Sequence, residues 1–430
     1  MYHPDVVAAR VAALESHYAV TLREYSVGEI SEWKRRLENV VDAKGESLRL
    51  LTPEESSFVL NEVLLSKVNF PYWAERYCSI NLRGADIGPM YPLWESQRLI
   101  LEKIAELERR TFFDNHPDGI LVNILKARQL GASTLAQAMG THRVTTQSHI
   151  FGLVAADVPE QSAFTFDMME RVVDYLPWWV RPKVVEHVKD SEILFDSGSH
   201  VWVGAGKSIR GTENKRGQLA RGKTLSYVHL TELSTWDEPA QIDDSLMPAI
   251  HIQPAILVAF ESTAKGRHNW WHEHWVASKR GVGRFTPIFI PWYAEKNRYW
   301  LPAPTSWSPS ALTLAHARRC EDTGPRWVGH PVRLTRNQLY WYETTRDGFE
   351  SKGQISKFLE EYCSDDEEAF QFSGYGVFSL DDIERIRLHA RPLKAVLQIT
   401  RAFGSIGGEA PSPTDLPGLE PHPEALGGSR

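Results

Sequence analysis

Hydrophobic positions along the chain change period in a way that lays out an alternating α/β domain. The run Ile120-Leu-Val-Asn-Ile-Leu125 is almost continuously apolar and rich in β-branched residues, as a strand buried on both faces should be. Comparable runs begin at Ile150, Leu225, Ile256 and Phe285. Glu192 to Phe195 and His200 to Val203 are short enough to form a hairpin. Between these runs, Leu135 to Met139 opens a helical pattern and Gln161 to Leu176 sustains one. Strands that alternate with helices predict a mostly parallel sheet with helices on its faces.

Outside this core the pattern is different. Residues 1 to 66 repeat apolar positions at helical spacing, including Ile30, Trp33, Leu37 and Val40. Thr52 followed by Pro53 reads as a helix cap and first turn. Residues 295 to about 330 are proline- and serine-rich and predict a connecting or peripheral region. A helix capped by Thr335 follows, then another over 355–362, then an acidic run from Asp365 to Gly374 expected to be a structural junction. Beyond residue 400, Gly, Pro and Ser dominate and a mobile tail is expected. The expected division is 1–66 helical lead-in, 67–295 core, 296–400 linker or peripheral subdomain and 401–430 tail.

Charge and cysteine count narrow the classes of partner. The net charge of −7 over 430 residues means that nucleic-acid contact would have to come from a local basic patch. Such a patch lies between Lys207 and Lys223, with Arg210, Arg216 and Arg221 among its cations and Glu213 its only acid. It can grip DNA phosphates, supply an arginine to a neighbouring subunit's nucleotide, or be a solvated loop. Three widely spaced cysteines argue against a disulfide framework and fit a reducing cytoplasm. No run has the length of a membrane span or a signal-peptide core.

Candidate chemistry concentrates after the strand ending near Leu125. The turn Lys126 to Thr134, with Gly131, Ala132, Ser133 and Thr134 at the start of the following helix, has the strand–glycine turn–helix order that holds a phosphate. The match to GxxxxGK[ST] is incomplete. Ala132 replaces the lysine and the first glycine is absent, so the cation must be Lys126 or Arg128. An ordinary turn with solvated basic residues would carry the same sequence. A second glycine-lysine segment, Gly204 to Ser208, has no helical pattern after it and is set aside.

The apolar run from Leu225 ends in Thr231 and Glu232. In phosphate-loop ATPases such a strand is expected beside the loop strand, with its terminal acid aligning the attacking water. Glu232 is the candidate for that role, and Thr231 stands where a metal-supporting aspartate is usual. His268, His272 and His274 are close in sequence, but their spacings do not share one helical face and no HExxH is present, so a zinc site is not expected.

The order K-A-R-Q-x-G-x-S-T over 126–134 resembles the phosphate loop of the large terminase subunits of tailed bacteriophages, and the hydrophobic-Thr-Glu run ending at Glu232 is similar to their second motif. The resemblance covers roughly residues 50 to 385. It implies a P-loop NTPase fold, ATP and Mg²⁺ as cofactors, an adenine site at Trp94 and Gln97, and a third motif at Ser262 and Thr263. In that reading backbone amides of Gln129 to Thr134 hold phosphate oxygens and Ser133 holds the metal. Ser262 and Thr263 would meet the γ-phosphate or cap the next helix. The resemblance also implies double-stranded DNA, a portal protein and a small terminase subunit as partners, a homo-oligomeric ring, and the cytoplasm of an infected bacterial host. Large terminases usually carry a C-terminal nuclease with clustered aspartates, and no such cluster is evident here. The chain is therefore expected to be the motor portion, with a helicase-like DNA-remodelling ATPase or a non-hydrolysing scaffold for DNA or capsid proteins as the rival readings.

Overall fold

In the computed structural model the described residues are 2–42, 45–82, 86–206, 224–370, 397–399 and 419–421. Residues 1–373 form one compact unit and 374–430 a second. In the second unit, Leu397–Ile399 and Leu419–Pro421 pair as an antiparallel two-stranded sheet. The expected tail over 401–430 otherwise lies outside the described residues.

The first unit opens with helices α1 (Pro4–Tyr18), α2 (Val27–Arg36), α3 (Pro53–Val68) and α4 (Phe70–Tyr77). Thr52 caps α3 through the amide of Glu55, and Glu55 returns the bond to the Thr52 amide, so two first-turn donors are satisfied. A small hairpin, β1 (Ser79–Asn81) and β2 (Ile87–Pro89), leads to α5 (Glu95–Phe113). The core then alternates: β3 (Ile120–Lys126), α6 (Ala132–Thr146), β4 (Phe151–Ala156) and α7 (Pro159–Tyr175). Next come β5 (Val184–Val188), β6 (Glu192–Phe195), β7 (His200–Ala205) and β8 (Tyr227–Thr231). The core closes with β9 (Leu257–Ser262), α8 (Trp270–Lys279) and β10 (Thr286–Ile290). A helical cover follows: α9 (Ala311–Thr323), α10 (Pro325–Val328), α11 (Arg336–Glu350), α12 (Ile355–Glu361) and α13 (Asp366–Ala369).

The eight-stranded sheet has the order β10-β3-β9-β8-β4-β7-β6-β5. From β10 to β7 every pairing is parallel, and β6 and β5 finish one edge antiparallel. Strands β3, β8 and β9 are buried at every residue, as central parallel strands covered on both faces must be. The fold is thus a mostly parallel α/β sheet flanked by helices.

Two sequence expectations change here. The strand that ends at Thr231 does not lie beside the loop strand β3, because β9 is inserted between them. Lateral order is not encoded in the hydrophobic pattern of either strand. The proline-rich stretch over 295–330 also contains α9 and α10, the former capped by the Ser310 hydroxyl.

The position of α6 over the sheet depends on Gly140. A Cβ there would stand 2.3 Å from the ring of Tyr227 on β8. With hydrogen in its place, the Tyr227 hydroxyl reaches the Ala136 carbonyl at 2.9 Å. Helix α6 is thereby held close to the strands whose ends form the site.

Candidate functional site

Between β3 and α6 the backbone turns through two left-handed residues, Gln129 at φ 53° and Gly131 at φ 74°. Glycine is required at the second. Its φ is unfavourable for other residues, and a Cβ would stand 2.7 Å from the Gln97 amide nitrogen. The loop is held from three directions. Ala127 N–H donates to Ile290 O on β10 at 2.9 Å, and Arg128 N–H to Glu361 O on α12 at 2.9 Å. From α5, Ser96 Oγ donates to Leu130 O at 2.9 Å and Gln97 Nε2 to Gly131 O at 3.2 Å. With these carbonyls tied behind it, the first turn of α6 presents its N–H groups outward, where no intrahelical partner exists.

These groups open into a cleft of about 870 Å³ at the carboxyl ends of β3, β8 and β9. Its lining includes Lys126, Gly131, Ser133, Glu232, Thr263 and Lys357. Connections leaving β3 run toward β4, while those leaving β9 run back across β3 to β10. Such reversals are where open α/β sheets take their ligands. The cleft lies within the usual size range of small-molecule sites, roughly 300–1,000 Å³.

Lys126 closes the floor of the cleft. It is buried, with Nζ 3.0 Å from Glu261 Oε2 and 3.7 Å from Glu232 Oε1. Burial works against its charge, but the two carboxylates outweigh burial and hold the ammonium above the ordinary lysine range. Burial likewise acts to raise the Glu261 carboxyl. Lys126, His229 and the Ser133 hydroxyl prevail and hold it well below the usual carboxylate range. Both groups are therefore charged at neutral pH.

Glu232 follows β8 in a left-handed conformation at φ 54°, with its side chain partly exposed on the cleft. A non-glycine residue held in that conformation is uncommon, and such strain collects at functional sites. Its surroundings are fixed: Ser234 N–H donates to Ser262 Oγ at 3.0 Å, and Trp236 Nε1 to Thr231 O at 3.1 Å. The Ser262 hydroxyl is buried and spent on Ser234. Neither Ser262 nor Thr263 caps α8, which Asn269 caps; Thr263 lines the cleft.

The remaining sequence candidates fall into distinct places. Arg128 is half exposed and ion-paired to Glu361 at 2.8 Å, and Gln129 accepts from Arg298. Gln97 is buried, accepting from Trp94 N–H at 3.0 Å while bracing Gly131. Trp94 is partly exposed and lines the neighbouring cavity with Phe164, Met168 and Arg171. Thr134 faces Met168 at 4.0 Å. Arg210, Arg216 and Arg221 lie outside the described residues. The segment 204–208 is described only to Gly206, where β7 has ended and Gly206 N–H bonds Ala156 O. Among the described residues, no group of three His, Cys, Asp or Glu is arranged to hold a metal; His274 bonds Asn123 and stacks on Trp270. All three cysteines are buried and unpaired. Among the described residues no helix is long and apolar enough to cross a membrane.

Sequence reasoning missed Glu261. The available signal was an acid within an apolar run, Ile256 to Ser262, that reads as a strand terminus. It also missed the cover from α12, whose Lys357 and Glu361 face the loop.

No family model matches the sequence. Solved structures with similarity include the large terminase of a thermophilic bacteriophage, at 14% identity and TM-score 0.36 over 53% of this chain and 50% of that one. The HK97 bacteriophage large terminase matches at 14% identity and TM-score 0.43, over 70% of this chain and 55% of its own. The large terminase ATPase domain of Thermus phage P74-26 matches at 14% identity and TM-score 0.35, over 57% and 88%. A further structure of the first of these terminases is a complex with ADP. The chain spans about half the length of the first two proteins.

Proposed function

We propose that this chain is the ATP-hydrolysing motor portion of a phage DNA-packaging large terminase. The supporting observation is the convergence on one cleft of the α6 N-terminus, the buried ammonium of Lys126 and the strand-end carboxylate of Glu232. A triphosphate placed there meets unpaired N–H groups at Gly131 to Thr134, with the helix dipole favouring its charge. Lys126 replaces the absent lysine at position 132, because a residue at the end of β3 reaches the same space from below. Arg128 is the less suited of the two cations, since Glu361 already holds it.

The oxygen donors on the cleft fit magnesium: the Ser133 hydroxyl and the Glu232 carboxylate line it, and hard cations prefer oxygen. A magnesium ion held there with ATP would supply neutralisation of the phosphate charge. Glu232 orients the attacking water and takes its proton; its carboxylate is on the open side of the cleft, where water enters. Trp94 stacks on adenine and Gln97 sets the height of the loop beneath it. Thr263 faces the γ-phosphate end. The basic segment 207–223, with Arg210, Arg216 and Arg221, carries DNA contact or a cation donated in trans within a ring. Portal protein and small terminase as partners, and action in the host cytoplasm, belong to the same proposal.

Turnover of ATP by the full chain with double-stranded DNA tests this. Glu232→Gln should lower kcat by about 10²–10⁴, the range for a lost general base. Equal turnover in the two proteins removes Glu232 from catalysis.

A further inference from the structure

We propose that Glu261 positions the Ser133 hydroxyl for the nucleotide's divalent cation, serving from β9 the site that an acid at position 231 on β8 would otherwise serve. This rests on the nucleotide-site reading above. Thr231 and Glu261 are register partners on adjacent parallel strands, so their side chains leave the same face of the sheet at the same height. The carboxylate has moved sideways by one strand, about 4.8 Å.

The hydrogen bonds specify what it does there. Ser133 Oγ donates to Glu261 Oε1 at 2.6 Å, and Thr231 Oγ1 donates to the same oxygen. With its hydrogen bond given to Glu261, the Ser133 hydroxyl keeps its lone pairs for an acceptor role on the cleft that it lines. A cation on the phosphates needs such an acceptor. The Oε2 atom is fully buried and has no hydrogen-bond partner, although Lys126 Nζ stands 3.0 Å away as an ion pair. Behind the carboxylate, Gln137 Nε2 lies 2.6 Å from His229 Nδ1, and His229 Nε2 lies 3.5 Å from Glu261 Oε1. A bare counter-ion for Lys126 would need none of this, and Glu232 already faces the same ammonium. Glu261 is a positioning residue that sets Ser133 for the metal.

The test measures binding of a fluorescent ADP analogue to the full chain, once with Mg²⁺ and once with EDTA. The wild type should bind more tightly with Mg²⁺. Glu261→Gln should lose about 10- to 100-fold of that enhancement, the usual effect of removing a residue that orients a metal ligand; because the enhancement is the ratio of the two arms, a change common to both divides out. The double variant Thr231→Asp, Glu261→Gln should regain the enhancement, because a carboxylate is restored one strand away. Ser133→Ala leaves the buried charges intact, so it reports even if the Glu261 variants do not fold; it should lose the enhancement. Retained enhancement in Ser133→Ala or Glu261→Gln, or equal loss in both arms by Glu261→Gln, overturns the proposal. No binding by the wild type in either arm overturns the nucleotide-site reading instead.

Discussion

Lys126 and Glu232 meet at 3.7 Å although their strands are not neighbours. The lysine ends β3, the glutamate follows β8, and β9 lies between them. The pair spans the inserted strand because Glu261, on that strand, holds the ammonium from beneath. Cation, water-facing acid and hydroxyl are thus arranged around one buried carboxylate.

Lys126 and Arg128 should separate sharply on substitution. Lys126→Ala leaves the buried Glu261 charge uncompensated, which costs about 3–5 kcal/mol, and should abolish ATP turnover. Arg128→Ala removes an exposed ion pair worth about 0–1 kcal/mol and should leave most activity. Denaturant melts and turnover on both variants check this, and equal effects would contradict the assignment of the cation.

His142 makes stability depend on pH. Burial pushes its pKa down to about 3, so the folded histidine stays neutral while the unfolded one titrates near 6.5. Between those values the unfolded chain binds a proton that the native state does not. Its contribution is therefore fully present above about pH 6.5 and lost as pH falls, by up to about 1.4 kcal/mol per pH unit. Partly buried His274, pushed down to about 4 by desolvation, adds a slope of the same sign, so the comparison must be between variants. His142→Gln keeps a donor for the Ser66 carbonyl, which His142 Nε2 contacts at 2.7 Å. Its stability should fall less steeply between pH 6.5 and 5 in urea titrations; parallel curves would contradict the assignment.

Gly140→Ala tests the seating of α6. The added methyl meets the Tyr227 ring, and overpacking of this kind costs about 1–3 kcal/mol. Since the Tyr227 hydroxyl bond fixes the helix, nucleotide affinity should fall along with the urea midpoint. A lower midpoint with unchanged affinity would show that the loop is positioned independently of this contact.

Much of this architecture was legible because parallel strands buried on both faces leave continuous apolar runs. The strands at 120–126, 151–156, 227–231, 257–262 and 286–290 fall where those runs are. The capped starts of α3 and α11 were legible from Thr52 and Thr335 for a local reason, since a cap depends on residues three apart. Lateral strand order was not, because it is a tertiary property, and with it went the role of Glu261. An acid inside a strand is costly unless paired, and its partners Lys126, Ser133 and Thr231 come from three other segments. Helix α9 was hidden by flanking prolines and serines, although one of those serines, Ser310, is its cap.

The most direct measurement is a structure of the full chain with Mg²⁺ and a non-hydrolysable ATP analogue. The account expects the β- and γ-phosphates on the amides of Gly131 to Thr134, Lys126 beside them and Glu232 facing the γ-phosphate. Phosphates bound at 204–208 instead, or a nucleotide turned away from Glu232, would contradict it.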